Sequence, residues 1–212
     1  MKLTNKNYYS QNSNQEYFSV SQFKDFARCE AMAMAKLRGE YEQPPSQALL
    51  LGSFVDEMLT GTKKSKITFV IENRLELFQK SSKLIKLQDF ELADLLKEDL
   101  LDVFNADNKP YAEIVQALNT IERIKEQPFM VQHFKSKHQV IMTGTIAGVP
   151  FKIKMDNYKP GEFISDGKYM ASLRSPNLFE PMVKYWGYDI QGAVYQEIDY
   201  QKVLNATYSK QI

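Results

Sequence analysis

A chain of 212 residues can bury one substantial core, with or without a helical lobe, and is short for two independent domains, so a single domain over 1–212 is expected. Hydrophobic residues at 43% and charged residues at 25%, with nine Gly and eight Pro, exclude a long disordered tract, and no apolar run nears the roughly 18 residues that span a bilayer. The formal net charge of +1 excludes a globally basic nucleic-acid binder, and a lone cysteine, Cys29, excludes an internal disulfide or a four-thiolate cluster.

Met1 to Ser10 is polar and has no signal-peptide core, so a cytoplasmic location is expected. Residues 1–18 are rich in Asn, Gln, Ser and Tyr without periodicity, which predicts an extended or loosely docked arm. Ser19 or Ser21 can cap a helix carrying Phe23, Phe26, Ala27 and Met34, with Ala-Met-Ala-Met-Ala at 31–35 in its core and Glu42-Gln43-Pro44-Pro45 as its breaker. Cys29 reads as a small buried hydrophobe. Ser46 is placed to cap a second helix running through Leu50, Phe54 and Met58 to Gly61. Between Glu72 and Phe104 the leucines predict two or three short helices, and Tyr111 to Glu126 predicts an amphipathic one with Ile114, Ala117, Leu118, Ile121 and Ile124 on one side. Together these make residues 19–130 a mainly helical lobe.

The period then changes to that of strands. Gln139 to Thr143 and Phe151 to Tyr158 are β-prone, with Ala147-Gly148-Val149-Pro150 as the turn between them, and Phe163-Ile164-Ser165 reads as a third strand after Lys159-Pro160-Gly161. Arg174 to Pro181 is loop-like, and helical character returns from Pro181 to about Leu204. The strands and last helix thus occupy 138–204, giving an α/β class.

Alternation puts Lys152, Lys154, Asp156 and Tyr158 on one strand face and Phe151, Ile153 and Met155 on the other. Asp166 and Lys168 are two apart and share a face if the third strand continues through them. An odd-numbered loop around Gly161 would set Asp156 opposite Asp166, and two facing carboxylates call for a cation between them. Mg²⁺ or Mn²⁺, hard ions that take oxygen ligands, would fit, and Lys168 could then orient or deprotonate a water attacking a phosphodiester. The competing reading is structural: Asp166-Gly167 is a favoured type I′ turn dipeptide, which would leave Lys168 solvated at a hairpin tip.

The flanking sequence favours the site. Asp156, then Asp166-Gly167-Lys168, then Tyr185-Trp186-Gly187-Tyr188-Asp189-Ile190-Gln191-Gly192-Ala193-Val194-Tyr195 resemble the D…DxK…QxxxY signature of RecB-like PD-(D/E)XK nucleases, and the last motif looks like that of phage RecE-type exonuclease domains. Ser19-Val20-Ser21-Gln22-Phe23 with Cys29, and Leu51-Gly52-Ser53-Phe54-Val55-Asp56-Glu57, resemble the helical motifs that precede the nuclease strands. The resemblance spans most of residues 17–200. It implies a restriction-endonuclease-like core, a small mixed sheet flanked by helices, with Asp156 and Asp166 as metal ligands, Lys168 as the catalytic lysine, and Gln191, Tyr195 and Tyr188 as DNA-contacting or positioning groups. Where many members carry His in the early helical motif, this chain has Asp56 beside Glu57, either of which is a candidate third carboxylate. The family core continues past the QxxxY helix into a further strand, whereas this chain ends at Ile212, so it is read as shortened.

Two functions follow from these residues. One is a metal-dependent DNA exonuclease of phage recombination, acting in the host cytoplasm alone or with a recombination protein. The other is a shortened, repurposed relative that binds DNA or a host defence protein as an inhibitor without cutting. His133 and His138 lack metal-ligand spacing, no Walker-type loop or G-x-S-x-G elbow is present, and Lys63-Lys64-Ser65-Lys66 reads as a solvated loop.

Overall fold

A computed structural model of the protein describes residues 1–42, 47–61, 112–169 and 176–208. The helices predicted between Glu72 and Phe104, the cap at Ser46, the Pro44-Pro45 breaker and the Lys63–Lys66 loop lie outside them. The chain divides into two compact units, one formed by 1–43, 137–166 and 172–212, the other by 44–136 and 167–171.

The first unit is built on an antiparallel sheet of order β1-β2-β3, with β1 Lys137–Ile146, β2 Val149–Lys159 and β3 Phe163–Ser165. Ala147 and Gly148 connect β1 to β2 with φ of 50° and 81°, the two positive values that a two-residue I′ hairpin requires. Pairing runs from Ile146↔Val149 to Lys137↔Tyr158, and β3 continues it on the other side of β2 from Lys159↔Phe163 to Asn157↔Ser165. The parallel component expected of a mixed sheet reduces, among the described residues, to one bridge between Phe18 and Phe151.

That bridge corrects the expectation of a loose N-terminal arm. Phe18 donates its N–H to Pro150 O and accepts from Lys152 N, both at 2.8 Å. Ahead of it, α1 (Gln11–Glu16) is capped by Ser10, and Tyr8 and Ser13 are buried. Polar composition hid the packing, because its anchors are backbone bonds and a buried lysine, not an apolar stripe. The next helix is also two: α2 (Val20–Arg28) starts at the Ser19 cap, the chain breaks at an extended Cys29, and α3 (Glu30–Arg38) ends at Gly39 in the left-handed region, before the predicted proline breaker. Cys29 is exposed, not buried, because it sits at that break.

Beyond the strands, Pro176–Leu178 is a 3₁₀ turn and α7 (Phe179–Trp186) begins where a loop was expected. Gly187, at φ 60°, ends α7 and redirects the chain into α8 (Tyr188–Tyr208). A side chain with a Cβ would be strained there. The core of the unit is Phe151, Ile153, Met155, Tyr158 and Ile198, with Val194 and Tyr195 packed against it. Each such large buried apolar side chain contributes roughly 1.5–3 kcal/mol.

The second unit contains α4 (Gln47–Thr60), α5 (Ala112–Lys125) and α6 (Pro128–Phe134). α4 buries Leu51, Phe54 and Val55, and α5 buries Ile114, Ala117 and Ile121, the one-sided spacing read from the sequence. Pro128 opens α6 at its first turn, where its missing N–H costs nothing.

Candidate active site

Asp156 lies near the C-terminal end of β2 and is reached from both sides. On the β1 side the ladder skips one step, between His138↔Asn157 and Val140↔Met155. Gln139 occupies that step with a φ of 51°, and its amide Nε2 donates to Asp156 Oδ1 at 3.3 Å. On the other side, the loop between paired Lys159 and Phe163 holds three residues, Pro160 to Glu162, the odd number that facing carboxylates require. Continued one step past Asn157↔Ser165, this register would set Asp156 opposite Asp166. The strand itself stops at Ser165, so Asp166 and Lys168 occupy irregular chain and do not share a strand face, contrary to expectation. The Asp166-Gly167 hairpin tip does not occur either; the tip is at Pro160 to Glu162.

α8 completes this side of the site. Gln191 and Tyr195 are one turn apart and project together. Gln191 Nε2 donates to Asp166 Oδ1 at 2.8 Å, and Asp166 Oδ2 is itself buried. The Tyr195 hydroxyl donates to Lys154 O at 2.9 Å. Even-numbered residues of β2 turn their backbone groups to the edge that meets Phe18, and Tyr195 satisfies a carbonyl between that bridge and β3. Burial first, then the charges of Asp166 and Asp156, push the Tyr195 phenol well above its usual range, with the Gln191 amide pulling the other way. Tyr195 therefore stays a neutral donor beside two carboxylates. Val194 and Ile198 pack on the sheet as expected, whereas Ile190 is exposed.

The other expected residues are placed as follows. Tyr188 lies under Lys24 Nζ, 5.1 Å from its ring centroid. Lys168 is exposed in irregular chain. Asp56 and Glu57 sit in the last turns of α4, in the second unit, with the Asp56 carbonyl accepting from Thr60 Oγ1 at 2.8 Å. His138 Nδ1 pairs with Asn157 Oδ1 at 2.8 Å across the hairpin.

Sequence reasoning missed Gln139 and the role of the N-terminal segment. Lys152 is buried, and its Nζ donates to Tyr8 O, Ser13 Oγ and Asn14 Oδ1, each at 2.6 Å. A pocket of about 220 Å³ opens beside it, lined among others by Tyr9, Gln22, Lys36, Lys154 and Tyr195. The register implied by the Ala147-Gly148 turn could have paired Gln139 with Asp156; nothing in the polar run before Phe18 signalled its docking.

Two carboxylates on adjacent chain segments, each steadied through one oxygen by a glutamine amide, suit a hard divalent ion that keeps several waters. Among the described residues no group of three His, Cys, Asp or Glu is placed to hold a metal.

A small antiparallel sheet presenting this acid pair, overlaid by a helix whose Gln and Tyr reach it, belongs to the PDDEXK-like class. Residues 19–211 match the family described as a PDDEXK-like domain of unknown function (DUF3799), and the chain belongs to that family. Among solved structures it is similar to a candidate exonuclease from Eubacterium rectale, at 38% identity and a TM-score of 0.71 over 95% of this chain and 69% of that one. No curated protein matches it. The resemblance carried by the motifs is borne out at the level of family and fold. Among the described residues no helix is long and apolar enough to cross a membrane.

Proposed function

We propose that the protein is a Mg²⁺- or Mn²⁺-dependent DNA exonuclease that hydrolyses phosphodiester bonds in phage recombination. The observation that carries this reading is the acid pair: Asp156 bonded by Gln139, Asp166 bonded by Gln191, and the charge of both acting on Tyr195. The relative from Eubacterium rectale, named as a candidate exonuclease, supports it.

PDDEXK nucleases generally use divalent metal ions, and such an ion would polarise the phosphoryl oxygen and offset the charge that develops in attack. Asp156 and Asp166 would hold it. Each glutamine holds one carboxylate oxygen, which lowers the cost of ordering that acid when substrate binds. Tyr195 remains protonated and holds the strand edge at Lys154, while Tyr188 extends the same helix face towards DNA. Lys168 supplies the positive group that orients the attacking water.

Degradation of linear duplex DNA in Mg²⁺ or Mn²⁺ tests the reading. Asp166→Ala and Lys168→Ala should each lower the rate by about 10²-fold or more while leaving thermal unfolding cooperative. The exposure of Lys168 outside any strand favours the second reading, a repurposed relative that binds DNA or a host defence protein as an inhibitor. Failure of purified wild type to cut with either metal, together with tight binding to such a protein, would decide for it.

A further inference from the structure

Lys154 stands two residues before Asp156 on β2, so the strand period sets its side chain on the face that carries the acid. Its ammonium lies 4.3 Å from the ring centroid of Tyr9 and 5.3 Å from that of Tyr8. Among the described residues no carboxylate pairs with it. Lys152, one step earlier on the same face, is its opposite: buried, with three oxygens taking its N–H groups. A ring face attracts an ammonium without occupying its hydrogen-bond donors. Lys154 thus keeps a partly desolvated positive charge, with its donors available, in the wall of the 220 Å³ pocket that Tyr9 and Tyr195 also line.

A solvated surface lysine would swing freely and would not be gripped by two rings from a distant N-terminal segment, itself fastened to the sheet by Lys152. A cation fixed by two rings on the strand face that carries Asp156 suits an anion that binds along that face. We propose that Lys154 contacts a DNA phosphate adjacent to the one placed at Asp156 and Asp166, and that Tyr8 and Tyr9 position its ammonium for that contact. The proposal rests on the nuclease reading and adds to it a residue outside the D…DxK…QxxxY motifs.

The test is binding of a short labelled duplex to the full chain, with Ca²⁺ replacing Mg²⁺ so that the strand is not cut, over a range of salt concentrations. Lys154→Gln should weaken binding about tenfold and reduce the slope of log affinity against log salt by about one, the loss of one phosphate contact, while Lys154→Arg stays near wild type. A purely structural lysine would change the melting temperature and leave the slope alone. If Lys154→Gln fails to fold, Tyr9→Leu decides, since Tyr9 is 70% exposed: a severalfold loss of affinity supports the proposal and unchanged affinity overturns it. Wild type that binds and cuts DNA, with Lys154→Gln equal to it in affinity and slope, overturns this proposal alone. Wild type that neither binds nor cuts overturns the nuclease reading and this proposal with it.

Discussion

Lys152 shows how one side chain can hold a segment that composition marks as loose. The residue is 1% exposed, and burial pulls its pKa from 10.5 down to about 8. Between those values the unfolded chain binds more protons than the folded one, so folding stability should rise with pH through this window. Wild type should therefore gain on the order of 2 kcal/mol relative to Lys152→Met between pH 7.5 and about 10, read from urea midpoints. Above pH 10 the trend should reverse, because burial raises the phenols of Tyr8, Tyr195 and Tyr158, and their unfolded forms ionise first. At this scale the site was legible wherever covalent spacing decides geometry. The odd loop between Lys159 and Phe163 follows from strand period, and the common direction of Gln191 and Tyr195 from one helical turn. The strand face expected to be shared by Asp166 and Lys168 does not form, because a two-residue period holds only while a strand lasts and β3 stops at Ser165. Gln139 depends on a left-handed residue inside a strand, which alternation alone does not reveal.

Among the elements, α8 is seated on the sheet by a missing side chain. A Cβ at Gly144 would come within 2.7 Å of Gln201 Oε1 and 3.0 Å of Ile198 Cγ1. Gln201 cannot readily yield, since its amide is bonded to Thr145 N at 3.1 Å and Thr145 O at 2.8 Å. Gly144→Ala should destabilise the protein by about 1–3 kcal/mol, measured by urea unfolding. It should also lower nuclease activity in the folded fraction, because α8 carries Gln191 and Tyr195 into the site. The helices α4 and α5 and all three strands were readable from periodicity. The breaks at Cys29 and Gly187 were not, since apolar spacing continues across each while the backbone changes direction.

For the molecule as a whole, metal and stability should be linked through the acid pair. If Asp156 and Asp166 bind Mg²⁺ in the folded state alone, saturating Mg²⁺ should raise the melting temperature of wild type by several degrees. Asp166→Asn should remove most of that rise, as scanning calorimetry with and without the ion would record. The Phe18–Phe151 bridge bears on how the protein is made. Residues 17–19 leave the ribosome before Pro150, Phe151 and Lys152 have been added, so their backbone partners do not yet exist. A nascent chain arrested short of β2 should keep its N-terminal segment open to protease, and protection should arrive abruptly once the β1–β2 hairpin clears the exit tunnel.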